Sequence, residues 1–232
     1  MHSNSKKKDM KVSKGEIFEH VFINEPELNL LIEQETGSHV KIHIINLDVS
    51  SSRDLEVSKQ SCPSVAKNKI VISQLGEGCY TEIYALAFLH GSDSVTTETH
   101  VTHAVEGGTS NQLIKFVLDD NARGRFIGDL KIAPDAQQTE AHQTNRNLLL
   151  SESAEMRTQP QLEIYADDVQ ATHGASTGQL DESALFYMQQ RGIDKNKARQ
   201  LLVNAFMKEV IETISDEKIR ERLLNSIDGV VE

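Results

Sequence analysis

The chain has no tryptophan, 5% aromatic residues, two cysteines and four prolines among its 232 residues. With so few aromatic side chains, the core must be built from Leu, Ile, Val and Ala. Two cysteines imply no disulfide framework, and neither Cys62 nor Cys79 has the CxxC spacing of a metal site. Their roles stay open on sequence alone.

No apolar run is long enough to span a bilayer, and no apolar segment follows the N-terminal lysines as in a secretory signal. We therefore expect a cytoplasmic protein. The net charge of −11 disfavours binding to nucleic acid or anionic membranes, because both polyanions would be repelled. The one basic run, Ser5 to Lys14, predicts a solvated polar tail, and we assign residues 1–27 to this tail and the segment leading into the fold.

Short alternating apolar runs fill the region from about residue 28 to 178, which favours strands of five to eight residues separated by polar or Gly-containing breaks. No amphipathic helix fits between these runs, so a βαβ sheet is excluded. A sandwich, a barrel and a solenoid stay open. A loose recurrence every 20–25 residues gives the solenoid a modest lead.

The apolar period changes to that of helices after Gly178, and residues 179–232 are predicted to form a small helical subdomain. We expect three helices, with Asp181, Asp194 and Ser215 as N-caps. The second helix has an apolar stripe of Ala198, Leu201, Leu202, Ala205, Phe206, Val210 and Ile214. Such short helices bury little area alone, so they must pack on the β region, on a partner, or on both.

Motifs for common catalytic or metal chemistry are weak. There is no Gly-rich phosphate loop and no Gly-x-Ser-x-Gly elbow. His100 and His103 would point to opposite faces of a strand, which disfavours binding of a shared metal ion. We therefore expect two exposed strand positions without a metal. His39 and His43 share a face but lack a visible third ligand.

His173 lies among small residues just before the first helix, in the stretch "DDVQATHGASTGQLDESALF". From chemistry alone, a turn residue with a local hydrogen bond is favoured over a functional ligand or base.

The segment from Gln143 to Phe206 resembles the SufB/SufD family of iron–sulfur cluster assembly proteins, and its residues are most similar to those of the SufD branch. The resemblance is carried by Gln143, Asn147–Leu149, Pro160–Ile164, Asp167–Val169, His173–Ala175, Leu185–Tyr187, Arg191–Ile193 and the helix from Ala198 to Phe206. It implies a mainly β protein: a right-handed parallel β-helix, or β-solenoid, followed by a small C-terminal α-helical subdomain.

The resemblance also implies a role without catalysis of its own. In the family, such a subunit pairs through its β-helix with a SufB-type scaffold, forms a homodimer when isolated, and docks a SufC-type ABC ATPase through its C-terminal helices. His173 matches the family's candidate iron or cluster ligand at the subunit interface. No stably bound cofactor is expected, only a transient iron–sulfur cluster at the shared interface.

Four residues are candidates for partner binding: Phe186, Tyr187, Arg191 and Phe206. The alternative for the aromatic cluster at Phe186–Met188 is that it caps the open end of the solenoid. Some family members carry a cysteine where this chain has Ala171, so a thiolate ligand at that position is excluded here. The family's longer N-terminal region is not matched, which leaves open a naturally short chain or a truncated one.

Two other functions remain as alternatives. One is a degenerate SufB/SufD paralogue that binds the ATPase without supporting cluster assembly. The other is a β-helix enzyme acting on acidic polysaccharide, although that function needs a groove of clustered acids and the acids here are scattered.

Overall fold

The computed structural model describes residues 6–47 and 64–228, with the side chains of Lys6 and Lys7 excepted. Twelve strands and three helices follow in order: β1 Lys6–Val12, β2 Ile17–Ile23, β3 Glu27–Gln34, β4 His39–Asn46, β5 Val65–Gln74, β6 Tyr80–Leu89, β7 Ser94–His103, β8 Thr109–Leu118, β9 Arg123–Ile132, β10 Thr139–Leu149, β11 Glu155–Ile164, β12 Val169–Gly178, α1 Glu182–Gln190, α2 Lys195–Ile211 and α3 Glu217–Ile227. Cys62 lies outside the described residues.

The strands form two parallel six-stranded sheets, one of odd-numbered and one of even-numbered strands. The orders are β1-β3-β5-β7-β9-β11 and β12-β10-β8-β6-β4-β2, so each coil adds one strand to each sheet. This is a parallel β-helix followed by helices, and the predicted fold class is confirmed.

The later coils are longer than the sequence suggested. Ser94 pairs with Arg123 and Arg123 with Glu155, so these coils take 29 and 32 residues rather than 20–25. Only the first coils are short: Lys6 pairs with Leu28, 22 residues later. The ten-residue strands of the later coils account for the difference, because two such strands and two corners fill each turn.

The strands begin well before residue 28. β1 pairs with β3 and β2 with β4, so residues 6–23 form the first coil, and the expectation of a solvated tail is wrong for them. The Lys8 ammonium lies 5.0 Å from the centre of the Phe22 ring, and Val12 is buried. The many lysines of β1 hid its strand pattern of alternating inward and outward residues, because lysine stems can cover apolar surface while their ammonium groups stay solvated.

Glycines with left-handed backbone form one corner of the β-helix. Gly37, Gly78 and Gly107 have φ of 67°, 63° and 72° and follow one another in successive coils. The N–H of Gly37 donates to the Glu77 carbonyl at 2.8 Å, and that of Gly107 donates to the Gln137 carbonyl at 2.9 Å. Glycine adopts this conformation without a Cβ penalty, so the corners stack in register.

Apolar residues fill the space between the two sheets, where Leu30, Ile42, Ile70 and Phe126 are fully buried. A second apolar cluster lies outside the β-helix. There the outer face of the even-numbered sheet, with Ile45, Leu86 and Val117, packs against the helices. The helical subdomain therefore packs on the β region, which was one of the arrangements expected from the sequence.

The helices begin close to the predicted residues. Asp181 and Asp194 cap α1 and α2 as expected, but Asp216 rather than Ser215 caps α3, by accepting from the N–H of Ile219 at 3.0 Å. Gly192, with φ of 82°, follows α1 as the predicted stop. In the described residues, no helix combines the length and apolarity needed to cross a membrane.

The predicted stripe of α2 is confirmed at Ala198, Val210 and Ile214, which are buried, but it is wrong at Leu201 and Ala205. The buried residues are Ala198, Gln200, Val203, Asn204, Met207, Val210 and Ile211, whereas Leu201 and Ala205 are exposed. The buried face is rotated because α3 packs against it: the side-chain amides of Gln200 and Asn204 donate to Asp228 at the end of α3.

Candidate functional site

His173 lies in the middle of β12, not in a turn as chemistry alone favoured. Its backbone pairs with Gln143 of β10, and its side chain is exposed. The error arose because the small residues around it, typical of turns, here occupy a regular edge strand. Strand alternation places His173 on the inward side, level with the partly buried Val169 and Ala171 that pack against the core.

The last coil, formed by β11 and β12, ends both sheets. Each of these strands pairs on one side only within the described residues, and most of their side chains are exposed. Pro160 lies in the middle of β11, where proline is tolerated because an edge strand need not donate on both sides. β12 contains no proline, so its free edge can accept another strand along its whole length.

Polar residues lie directly beneath His173 in the interior. Gln112 of β8 and Gln143 of β10 are in register with it, and both are buried. Gln143 belongs to the residues that carry the family resemblance, but nothing in the sequence analysis predicted its place in the fold. Its inward position could have been found from the alternation of β10 once the strand boundaries were known.

Phe186 and Tyr187 of α1 are exposed, at 62% and 59%. The Arg191 guanidinium lies 5.0 Å from the centre of the Tyr187 ring, a cation–π contact that holds these two side chains together. Both rings are exposed and therefore do not cover the end of the β-helix, so the end-capping interpretation is wrong for these two aromatics. Leu185 supplies the buried side of α1.

Phe206 lies apart from that surface. It is half-buried against the β-helix, and the Lys115 ammonium lies 4.2 Å from the centre of its ring. The same ammonium donates to the Phe206 carbonyl at 2.8 Å and forms an ion pair with Glu209. Phe206 thus fastens α2 to β8, and sequence reasoning did not foresee Lys115 as its partner.

The paired histidines do not assemble a metal site. His100 and His103 point to opposite faces of β7, as expected, but His103 is fully buried and bonds to the Ser110 hydroxyl at 2.8 Å, so the expectation of an exposed position is wrong for it. His39 bonds to Glu82, whereas His43 bonds to Thr213 of the helical subdomain at 2.9 Å. No group of three His, Cys, Asp or Glu side chains in the described part of the chain could hold a metal ion.

Burial lowers the pKa of both His43 and His103 to about 4, because the charged imidazolium is poorly solvated there. Cys79 is also buried, and its thiol donates to the carbonyls of Glu35 and Gly76. It packs as a small buried residue.

Comparison with known proteins identifies the family. The family model described as "SUF system FeS cluster assembly, SufBD core domain" matches residues 17–206. The chain is 38% identical to the iron–sulfur cluster assembly protein SufD of Escherichia coli (strain K12) over 152 residues, covering 66% of this chain and 36% of that protein. It is 31% identical to the chloroplastic protein ABCI7 of Arabidopsis thaliana over 200 residues, covering 86% of this chain and 42% of that protein.

A SufBD family protein of Synechocystis is 37% identical over 161 residues, covering 68% of this chain and 35% of that protein. The chain therefore spans well under half the length of these relatives. Nearly all of the β-helix and most of α2 lie within the matched region. The chain belongs to the SufBD family of the Suf system for iron–sulfur cluster assembly.

Proposed function

We propose that the chain is a non-catalytic scaffold subunit of the Suf machinery, which pairs through the last coil of its β-helix and docks a SufC-type ABC ATPase through its helices. The observation that carries the proposal is the position of His173 on a free edge strand at the end of a SufBD β-helix. A cytoplasmic location belongs to the same proposal.

Pairing is supported by the two free edges of the last coil. A SufB-type scaffold or a second copy of this chain could add its own strands to β11 and β12, satisfying backbone groups that otherwise face solvent. Addition to β12 would bring the partner directly beside His173, because the histidine lies in the middle of that strand.

The iron–sulfur cluster is the cargo of such a complex, and His173 would supply one ligand to it. A neutral imidazole is a good ligand for iron, but a cluster ordinarily needs several thiolates. Ala171 and the other described residues around His173 provide none, so the remaining ligands must come from the partner. The small neighbours Gly174 and Ala175 allow a partner surface to approach closely.

ATPase docking is supported by the exposed surface of Phe186, Tyr187 and Arg191. Aromatic residues and arginine are enriched at the centres of protein interfaces, and the rings of Phe186 and Tyr187 are both largely exposed. Motion imposed on α1 and α2 would reach the β-helix through the contacts of Lys115 and of Arg199, whose guanidinium donates to the Leu150 carbonyl at 3.0 Å.

The test is co-expression with the SufB-type and SufC-type proteins of the same organism, followed by native mass spectrometry and a cluster-transfer assay. We expect a ternary complex, and His173→Ala should lose cluster transfer while keeping that complex. Full cluster transfer by the variant would refute the ligand role. Recovery of the wild-type chain only as its own dimer would refute the heterocomplex and favour the paralogue interpretation.

A further inference from the structure

The interior of the β-helix changes from apolar to polar as it approaches the last coil. One inward ladder of the even-numbered sheet runs through Ile42, Ile83, Gln112, Gln143 and His173, each in register with the next. Two glutamines therefore replace isoleucines in the two coils beneath the histidine. An apolar side chain would fill this space equally well, so the change calls for a physical reason.

The amides of these glutamines have no hydrogen-bonding partner among the described protein groups. Gln112 is 3% exposed and Gln143 is 1% exposed, and both the nitrogen and the oxygen of each amide are buried. Neighbouring amides on β10 differ: Asn145 and Asn147 bond to each other at 2.8 and 3.0 Å and to backbone carbonyls. Leaving a buried polar group unsatisfied is destabilising, so such groups normally bind water or a ligand.

The opposite sheet lies close to Gln143 and supplies a further polar atom. Gly128 faces Gln143, and a Cβ at that glycine would lie 2.5 Å from the amide nitrogen and oxygen of Gln143. Thr99 precedes Gly128 in the same ladder, and its hydroxyl is also buried without a protein partner in the described chain. Two amides and a hydroxyl are enough to hold a buried water, which usually needs two to four polar partners.

We propose that the amides of Gln112 and Gln143 hold buried water beneath the last coil, and that this water makes Gln143 a positioning residue for the His173 imidazole. Adjacent strands are about 4.8 Å apart, and one water between side chains of neighbouring coils can bridge that distance. A ring nitrogen hydrogen-bonded in this way keeps one tautomer and one orientation, and the other nitrogen faces the partner.

The value of this positioning for cluster assembly rests on the ligand role proposed for His173, but the water site itself does not. The first experiment uses the full unmodified chain and NMR of the glutamine side-chain amides. We expect water-to-amide cross peaks of long-lived bound water for both Gln112 and Gln143. Amide protons that show no such transfer would overturn the proposal.

The second experiment measures the ring nitrogen chemical shifts of His173, which report the tautomer. The native chain should favour one tautomer, and Gln143→Leu should bring the ratio back toward that of free imidazole. Gln143→Glu retains the acceptor oxygens and should keep the native preference. An equal tautomer ratio in the native chain, or an unchanged preference in Gln143→Leu, would refute the positioning role.

Gly128→Ala provides a variant that leaves both Gln143 and His173 in place. Its new methyl group displaces only the flexible end of Gln143, so the fold should persist while the tautomer preference is lost. Gly178→Ala is the matched control, because a Cβ there meets nothing within 4 Å. Neither measurement depends on cluster transfer, so failure of the His173→Ala test and failure of this inference are separate results.

Discussion

The ammonium of Lys115 on β8 forms an ion pair with the carboxylate of Glu209 on α2, and the lysine side chain is only 1% exposed. This contact joins the outer face of the β-helix to the helical subdomain. Arg146 lies 3.3 Å from the same carboxylate, so Glu209 receives two cations. Burial lowers the pKa of Lys115, and the Glu209 carboxylate opposes that shift.

Breaking this pair from one side should destabilise the protein more than replacing the lysine with an apolar side chain. We expect Glu209→Gln to lower the free energy of unfolding by about 1–3 kcal/mol, because a buried charge loses its counterion. Lys115→Met should cost less than about 1.5 kcal/mol, since it fills similar volume without a charge. Urea denaturation of both variants checks the order, and a larger loss in Lys115→Met would contradict it.

Acid should destabilise the fold through His43 and His103. Their pKa values are about 4 in the folded chain against the ordinary histidine pKa of 6.5, so the unfolded chain binds more protons between these limits. Stability therefore falls as the pH drops from 6.5 toward 4, by as much as about 3 kcal/mol for each histidine. Urea denaturation across this range measures the slope.

The variants His43→Gln and His103→Gln separate the two contributions. Each should reduce the pH dependence by the share of one histidine, and the double variant should remove both shares. An undiminished slope in the double variant would assign the acid sensitivity to the carboxylates instead.

If the exposed aromatic surface of α1 docks the ATPase, removing its aromatic rings should specifically weaken ATPase binding. Replacing Phe186 and Tyr187 together with serine should weaken binding to the SufC-type ATPase by roughly 30-fold or more, as expected for the centre of an interface. The fold should be unaffected, because both rings are largely solvent-exposed. Isothermal titration calorimetry gives the affinity.

Val65→Ser is the matched control for that experiment. Val65 is 70% exposed and lies on the odd-numbered sheet, away from the helices. Its substitution should leave the affinity unchanged, whereas equal weakening by both substitutions would argue against a defined docking surface on α1.

Strand addition at the last coil predicts a localised change in hydrogen exchange. When the SufB-type partner binds, backbone amides of β12 should exchange more slowly, because a neighbouring strand now bonds them. β1 and β2 at the opposite end serve as an internal reference and should exchange as before. Protection of β1 and β2 without protection of β12 would place the interface at the wrong end for His173 to take part.

Alternation and capping were enough to predict most of the strands after residue 28 and most of the helix starts, because these signals depend on a few neighbouring residues. The sequence could not show which face of α2 is buried. Gln200 and Asn204 are buried only because Asp228, far along the chain, accepts their hydrogen bonds. Leu201 is exposed for the same reason, although hydropathy placed it inside.

The same distinction between local and long-range features applies to the candidate site. His173 was identified by resemblance, whereas its place on an edge strand required the pairing of β10 with β12. The partners of Phe206 and the unsatisfied amides of Gln112 and Gln143 depend on which strands are neighbours across coils. The pairing of strands from different coils cannot be predicted from any single stretch of the chain.

The stacking of coils also determines which coils unfold most easily. Each coil contacts only the coils before and after it, so a terminal coil is held from one side and opens at lower free energy than the interior ones. β12 belongs to such a coil, and His173 therefore lies on the part of the β-helix that frays most readily. A partner that adds a strand there would complete the stack, and ordering of the histidine and assembly of the complex would become one thermodynamic event.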